Sequence, residues 1–234
     1  MLQNKVFNYV FSLLEIKNNI SCVYMSMKCL RCLNEDPAYF YHGSKGWYCR
    51  KCISFGRAMI QEEQEPVSLH EVKENSEEYV LKYPLTQKQK EISDTCMVQI
   101  QNSDVLLKCV CGAGKTEMVV ASIAMFLKAH MKVCFAIARR QVVLEVAERL
   151  QQYFMTASVV PVCQGHTAVS DGDLIVCTTH QLYRYHEAFD LLILDEPDAF
   201  PFRGNAVLHG IAKTSCRGHV IYLTATPDDE LKER

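Results

Sequence analysis

"VLLKCVCGAGKTEMVVASIAMFLKAH", residues 105–130, opens on a short apolar run, passes through two glycines, and continues with apolar residues at three- and four-residue spacing. A buried strand, a tight loop and a helix produce that order. Gly112 and Gly114 free the backbone to wrap phosphate oxygens with N–H groups. Lys115 can reach β- and γ-phosphates, and the Thr116 hydroxyl can hold Mg²⁺ at the helix start. The run Gly112, Ala113, Gly114, Lys115, Thr116 and Glu117 is therefore the candidate nucleotide cradle. Cys109 stands where the G-x-x-x-x-G-K-[ST] pattern has its first glycine. Taken alone, the loop could be only a turn.

Its surroundings decide otherwise. Downstream, apolar runs recur at 132–138, 158–162, 173–178, 190–195 and 219–224, separated in part by helix-like segments such as "QVVLEVAERLQQYF". Continuous apolar strands between helices predict an α/β domain with a parallel sheet covered on both faces. Ligands of such sheets sit at the carboxyl ends of the strands. There "LLILDEPDAF" (191–200) ends its strand in two adjacent acids. A buried strand tolerates charge only at an end where a cation or substrate compensates it. Asp195 is then a Mg²⁺ partner and Glu196 the base or orienter of an attacking water, with Lys115 completing the catalytic set. "LTATP" (223–227) closes the last strand. Phosphate loop, acidic pair and Thr-Ala-Thr, in that order and each at a strand end, predict a nucleoside triphosphate site.

Ahead of this domain, "CLRC" (Cys29, Cys32) and "CRKC" (Cys49, Cys52) form two C-x2-C knuckles sixteen residues apart. Each tight turn presents two thiolates, and two turns complete a tetrahedral, structural Zn²⁺ shell. The intervening "AYFYHGSKGWYC" suggests the hairpin of a zinc ribbon. Tyr39, Tyr41, Trp47 and Tyr48 lie among Lys28, Arg31, Lys45, Arg50 and Lys51. Two readings stay open: bases of a single strand stack on these rings, or the rings form the ribbon's own small core.

The 234 residues carry a net charge of −2, 49% hydrophobic residues and twelve cysteines. The apolar stretch 6–16 is too short and polar for a membrane span and lacks a signal-peptide pattern. Scattered reduced cysteines suit a cytoplasmic protein. Residues 1–60 hold eight Lys/Arg against three Asp/Glu, whereas residues 61–78 hold seven Glu against one Lys. The expected organisation is an N-terminal helical segment (1–21), a zinc-binding module (22–60), an acidic, solvated linker or loosely held helix (61–84) and the nucleotide-binding domain (85–230).

The motif set resembles the first RecA-like domain of superfamily-2 helicases. The resemblance implies that "YPLTQKQ" is a Q-motif, placing Gln89 on adenine and making ATP the nucleotide. It also implies that Arg139 and Arg140, with Thr178, Thr179 and His180, hold the phosphates of a single strand. For the arginines, a solvated helix start remains open. Asp198, Thr224 and Thr226 become the coupling set that relays nucleotide state.

A four-cysteine module ahead of "VCGAGKTE", "RRQVVLEV", "TTHQLYRY" and "DEPDAFPF" resembles the ComFA family of late-competence ATPases. That resemblance implies an ATP-dependent translocase of single-stranded DNA acting in natural transformation, at the inner face of the bacterial membrane. Its implied partners are other competence proteins (ComFC-like) and the uptake channel. Such motors hydrolyse ATP between two RecA-like domains. A second is absent from this sequence, so weak turnover is expected, with "DDELKER" starting the linker towards it. The sequence departs from the family pattern at Cys109, Ala138 and Pro197. The alternatives are a zinc-dependent DNA-binding module with a vestigial ATPase and a PriA-like primosomal helicase. The latter's cysteines would follow the acidic motif.

Overall fold

The computed structural model describes residues 11–12 and 24–25 as backbone, and residues 27–60, 67–72, 79–110 and 112–227 in full. Most of the expected N-terminal helix, Cys22, Cys111, the stretches 61–66 and 73–78, and the closing 228–234 lie outside the described residues. Within the expected helix, β1 (Phe11–Ser12) pairs antiparallel with β2 (Tyr24–Met25). The described peptide groups there are satisfied across strands and not along a helix.

The cysteine module is a three-stranded antiparallel sheet of β3 (Phe40–Gly43), β4 (Gly46–Cys49) and β5 (Ala58–Met59). Its hairpin register sets Phe40 opposite Cys49, Tyr41 opposite Tyr48 and His42 opposite Trp47. Phe40, Ala58 and the four cysteines are buried.

After α1 (Gln87–Gln99) comes a parallel sheet of six strands: β6 (Val105–Lys108), β7 (Val133–Ile137), β8 (Val159–Val162), β9 (Leu174–Thr178), β10 (Phe189–Asp195) and β11 (Cys216–Thr224). Their spatial order is β6-β11-β10-β7-β9-β8, with every pairing parallel. Each expected apolar run is a strand. Successive residues point to opposite faces, so Phe135, Val176 and Ile193 pack under α1, α2 (Lys115–Lys128) and α3 (Arg140–Tyr153). Ala136, Cys177 and Leu194 face the other way, towards the cysteine module and α4 (Ala206–Ser215). This two-sided burial explains why the strands are apolar throughout.

The module is fastened to that second face. The Thr214 hydroxyl of α4 donates to the Arg31 carbonyl at 2.9 Å. A Cβ on Gly210 would lie 2.1 Å from the Cys32 carbonyl oxygen, so the helix touches the knuckle backbone directly. Phe55 stacks on His180 and leans on Tyr183 of the 3₁₀ helix Thr179–Arg184. Composition suggested a solvated linker or loose helix next, yet residues 67–72 are held against the nucleotide-binding domain. His70 bridges Asp171 and Asp173, Val72 is buried, and the Val67 amide donates to the His186 carbonyl. The contacts of residues 67–72 gather at the amino edge of the sheet, whereas Phe55 reaches the carboxyl end of β9.

Candidate nucleotide site and metal centre

Gly112 and Gly114 adopt φ of +76° and +77°, a region where a side chain would be strained. The loop therefore turns tightly off β6 and delivers Lys115 as the first residue of α2. A helix N-terminus aims N–H groups and a positive dipole end at the loop. Lys115 Nζ lies 3.2 Å from Glu196 Oε1 and 4.0 Å from Asp195 Oδ1. The phosphate loop and the acidic pair, eighty residues apart in sequence, thus meet at neighbouring strand ends.

Asp195 is the last residue of β10 and mostly enclosed, whereas Glu196 reaches solvent at φ +52°. Burial pushes the Asp195 carboxyl up to about 6, with Lys115 pulling the other way. Its Oδ1 is buried without a hydrogen-bond partner. A desolvated carboxylate oxygen beside a phosphate loop fits a divalent cation. The third acid behaves differently. Burial would raise Asp198, but hydrogen bonds from the Thr224 and Thr226 hydroxyls outweigh it and hold the carboxyl low. The Cys109 amide donates to the Thr224 carbonyl and the Glu196 amide to the Leu223 carbonyl. The end of β11 therefore touches both the phosphate-loop strand and the acidic loop.

Gln89 sits at the third position of α1, in a capping box with Thr86. Its Oε1 accepts from the Thr86 amide and its Nε2 donates to the Ala113 carbonyl at 2.8 Å, pinning the phosphate loop from outside. Glu117 accepts from the Tyr153 hydroxyl and Arg149, which ties α2 to α3. At the other strand ends, Arg139 stands at the N-cap position of α3 without a side-chain capping bond and is exposed, and Arg140 donates to the Gln164 carbonyl. Of Thr178, Thr179 and His180, only His180 is exposed. Sequence reasoning gave no role to Phe55, which stacks on that histidine, or to Phe200, 91% exposed beside the acidic loop. An aromatic residue in "DEPDAFPF" was a visible signal for Phe200; none existed for the Phe55 contact.

In the cysteine module the four sulfurs lie within 4.8 Å of one another. Cys29 and Cys52 Sγ are 3.8 Å apart, as are Cys32 and Cys49 Sγ. A tetrahedron with Zn–S bonds of about 2.3 Å has edges of about 3.8 Å. Hydrogen bonds from Cys32 and Cys52 hold the Cys29 thiol near 2, while Cys29 in turn raises Cys32 to about 12 and Cys52 further still. Four thiolates together need a cation, and this set fits zinc with no open position.

A family match to the type III restriction enzyme res subunit spans residues 82–229, which holds every strand of the parallel sheet and the whole nucleotide cradle. The chain belongs to that family. Helicase-type ATPases share its domain, so the expected RecA-like architecture stands. The chain is 34% identical over 232 residues to the competence protein ComFA of Bacillus subtilis (strain 168), covering 93% of this chain and 49% of the relative. It is likewise 34% identical over 212 residues to ComFA of Streptococcus pneumoniae, covering 88% and 48%. The resemblance to ComFA is thereby borne out, and the chain spans about half the length of these relatives.

Among solved structures, the Sulfolobus solfataricus SWI2/SNF2 ATPase core in complex with dsDNA matches with a TM-score of 0.51 at 18% identity. That match covers 64% of this chain and 34% of the other. A hypothetical ATP-dependent RNA helicase from Sulfolobus tokodaii matches at 0.50 and 20% identity, covering 63% and 49%. At those identities the likeness concerns the fold. Among the described residues no helix is long and apolar enough to cross a membrane.

Proposed function

We propose that this chain is the nucleotide-binding portion of an ATP-driven motor for single-stranded DNA that serves DNA uptake in natural transformation. The observation that carries the reading is Lys115 held between phosphate loop and acidic pair, 3.2 Å from Glu196. In the working site Lys115 leaves its carboxylates for the β- and γ-phosphates, while the Gly112–Thr116 backbone wraps them. Thr116 and Asp195 would hold magnesium, which when bound supplies positive charge at the phosphate oxygens. Glu196 orients the attacking water and accepts its proton. Asp198, gripped by Thr224 and Thr226, passes the state of the acidic loop into β11. Gln89 reads adenine once it releases the Ala113 carbonyl. Arg139, Arg140 and His180 face the strand, and zinc holds the cysteine module in shape.

Among the described residues Lys115 is the cation paired with the acidic pair. Arginines from a second RecA-like domain complete such clefts and are worth about 10³–10⁵ in rate. The chain alone therefore turns over slowly. The test is phosphate release with magnesium and ATP, with and without oligo(dT) or duplex. The expected result is slow release stimulated by the single strand and reduced about 100-fold or more by Glu196→Gln. Release indifferent to that substitution contradicts the reading. A DNA-binding module with a weak ATPase is the second reading, favoured by the exposed rings of the cysteine module; DNA binding without any stimulation of release would select it.

A further inference from the structure

The cysteine module carries rings that lie outside its buried core. Its small core is Phe40, Ala58 and the four cysteines, with Phe40 8% exposed. Tyr41, by contrast, is 50% exposed, and Tyr39 and Trp47 also reach solvent. The hairpin register puts Tyr41 directly opposite Tyr48 on the outer face, ring centroids 5.7 Å apart and edge to face. Tyr41 and Tyr39 thus present open ring surface, while Tyr48 is half-buried and Trp47 meets His42 edge to face at 5.2 Å.

Every tyrosine of this face has a cation beside it. The Arg50 guanidinium lies 5.8 Å from the Tyr41 centroid, Arg57 5.1 Å from Tyr48, and Lys51 Nζ 5.1 Å from Tyr39. Residues 27–60 hold six lysines and arginines against two acids. The pattern continues onto the nucleotide-binding domain. Two residues before Arg57, Phe55 stacks on His180 at 6.1 Å and meets Tyr183 at 5.4 Å, and Arg184 lies 5.4 Å from the Tyr183 centroid. Rings and cations therefore run from the hairpin to the carboxyl end of β9, where the motor's own strand contacts are proposed.

We propose that the Tyr41–Tyr48 face, with Tyr39, Arg50, Lys51 and Arg57, binds single-stranded nucleic acid, bases stacking on the tyrosines and phosphates meeting the cations. Stacking platforms flanked by positive charge are how proteins hold unpaired strands without reading sequence. A duplex hides its base faces and could use only the charges. The inference rests on the proposed DNA motor and assigns it a second contact, outside the sheet.

The test uses the 234-residue chain with zinc bound and a labelled 20-nucleotide oligo(dT), read by fluorescence anisotropy. The Tyr41→Ala/Tyr48→Ala pair is expected to weaken binding about tenfold or more, and the Tyr41→Phe/Tyr48→Phe pair, which keeps the rings, about twofold at most. Photo-crosslinking of a 5-iodouracil oligonucleotide to the unaltered chain, mapped by mass spectrometry, should reach residues 39–59. An alanine pair that binds as tightly as the parent, or crosslinks confined to residues 139–184, overturns the proposal. If Arg139→Ala/Arg140→Ala then loses the strand, the motor reading survives without this face. If the parent chain itself fails to bind oligo(dT), the motor reading falls and takes this one with it. Duplex affinity equal to the single strand and equally lowered by the alanine pair would also refute the stacking mode.

Discussion

Asp173 sits at the amino edge of β9, buried, and accepts hydrogen bonds from the Ser158 amide and hydroxyl at 2.8 and 2.9 Å and from His70 at 3.2 Å. Burial alone would raise its carboxyl, but those bonds and the charge of Lys132 prevail and hold it below the ordinary carboxylate value. A carboxyl depressed in the folded state stabilises fully above the unfolded value near 3.9 and loses that contribution as pH falls below it. Asp173→Asn should therefore cost about 1.5–3 kcal/mol at pH 7. The gap to the parent should shrink below about pH 4, measured by urea unfolding at both pH values; a gap of constant size would contradict this assignment. None of it was legible in "SDGDL", because Ser158 and His70 come to Asp173 only through tertiary packing. The phosphate loop and acidic pair were legible for the opposite reason. Gly112, Gly114 and Lys115 are residue types demanded by phosphate chemistry, and Asp195 and Glu196 are charges that a buried strand excludes except at its end. Gln89 lies between these cases: its motif was visible, but its bond to the Ala113 carbonyl was not.

At the scale of elements, the six parallel strands could be read because both faces are covered and every residue of each run had to be apolar. α4 could not. "AVLHGIAKTS" is short, has glycine at its centre and runs directly into β11. That glycine has a reason that only packing supplies, since α4 rests on the backbone of the first cysteine knuckle at Gly210. Gly210→Ala gains helix propensity yet places a methyl group 2.1 Å from the Cys32 carbonyl oxygen. Overpacking of this kind costs about 1–3 kcal/mol. The expected outcome is a net loss of stability in denaturant titration with zinc bound. A neutral or stabilising result would mean that the module does not bear on α4 in solution. The acidic segment yielded the least from composition: charge pointed to a solvated stretch, while Val72 and His70 tie residues 67–72 to the sheet.

Across the whole molecule, zinc module and nucleotide-binding domain share one apolar cluster, in which the buried cysteine knuckles join Leu192, Leu194 and Tyr222 of the sheet. The cysteine spacing and the strand pattern predicted the two parts, but not their weld. That weld sets Phe55 against His180, so events at the strand ends are in direct contact with the module. The account as a whole depends on the carboxyl edge of the sheet being a magnesium-dependent nucleotide site. Titration of the 234-residue chain with a fluorescent ATP analogue, with and without magnesium, tests that most directly when parent and Lys115→Ala are compared. The account predicts saturable, magnesium-dependent binding to the parent, displaced by ATP and lost in Lys115→Ala. Equal binding by the two proteins, or binding by neither, would contradict it.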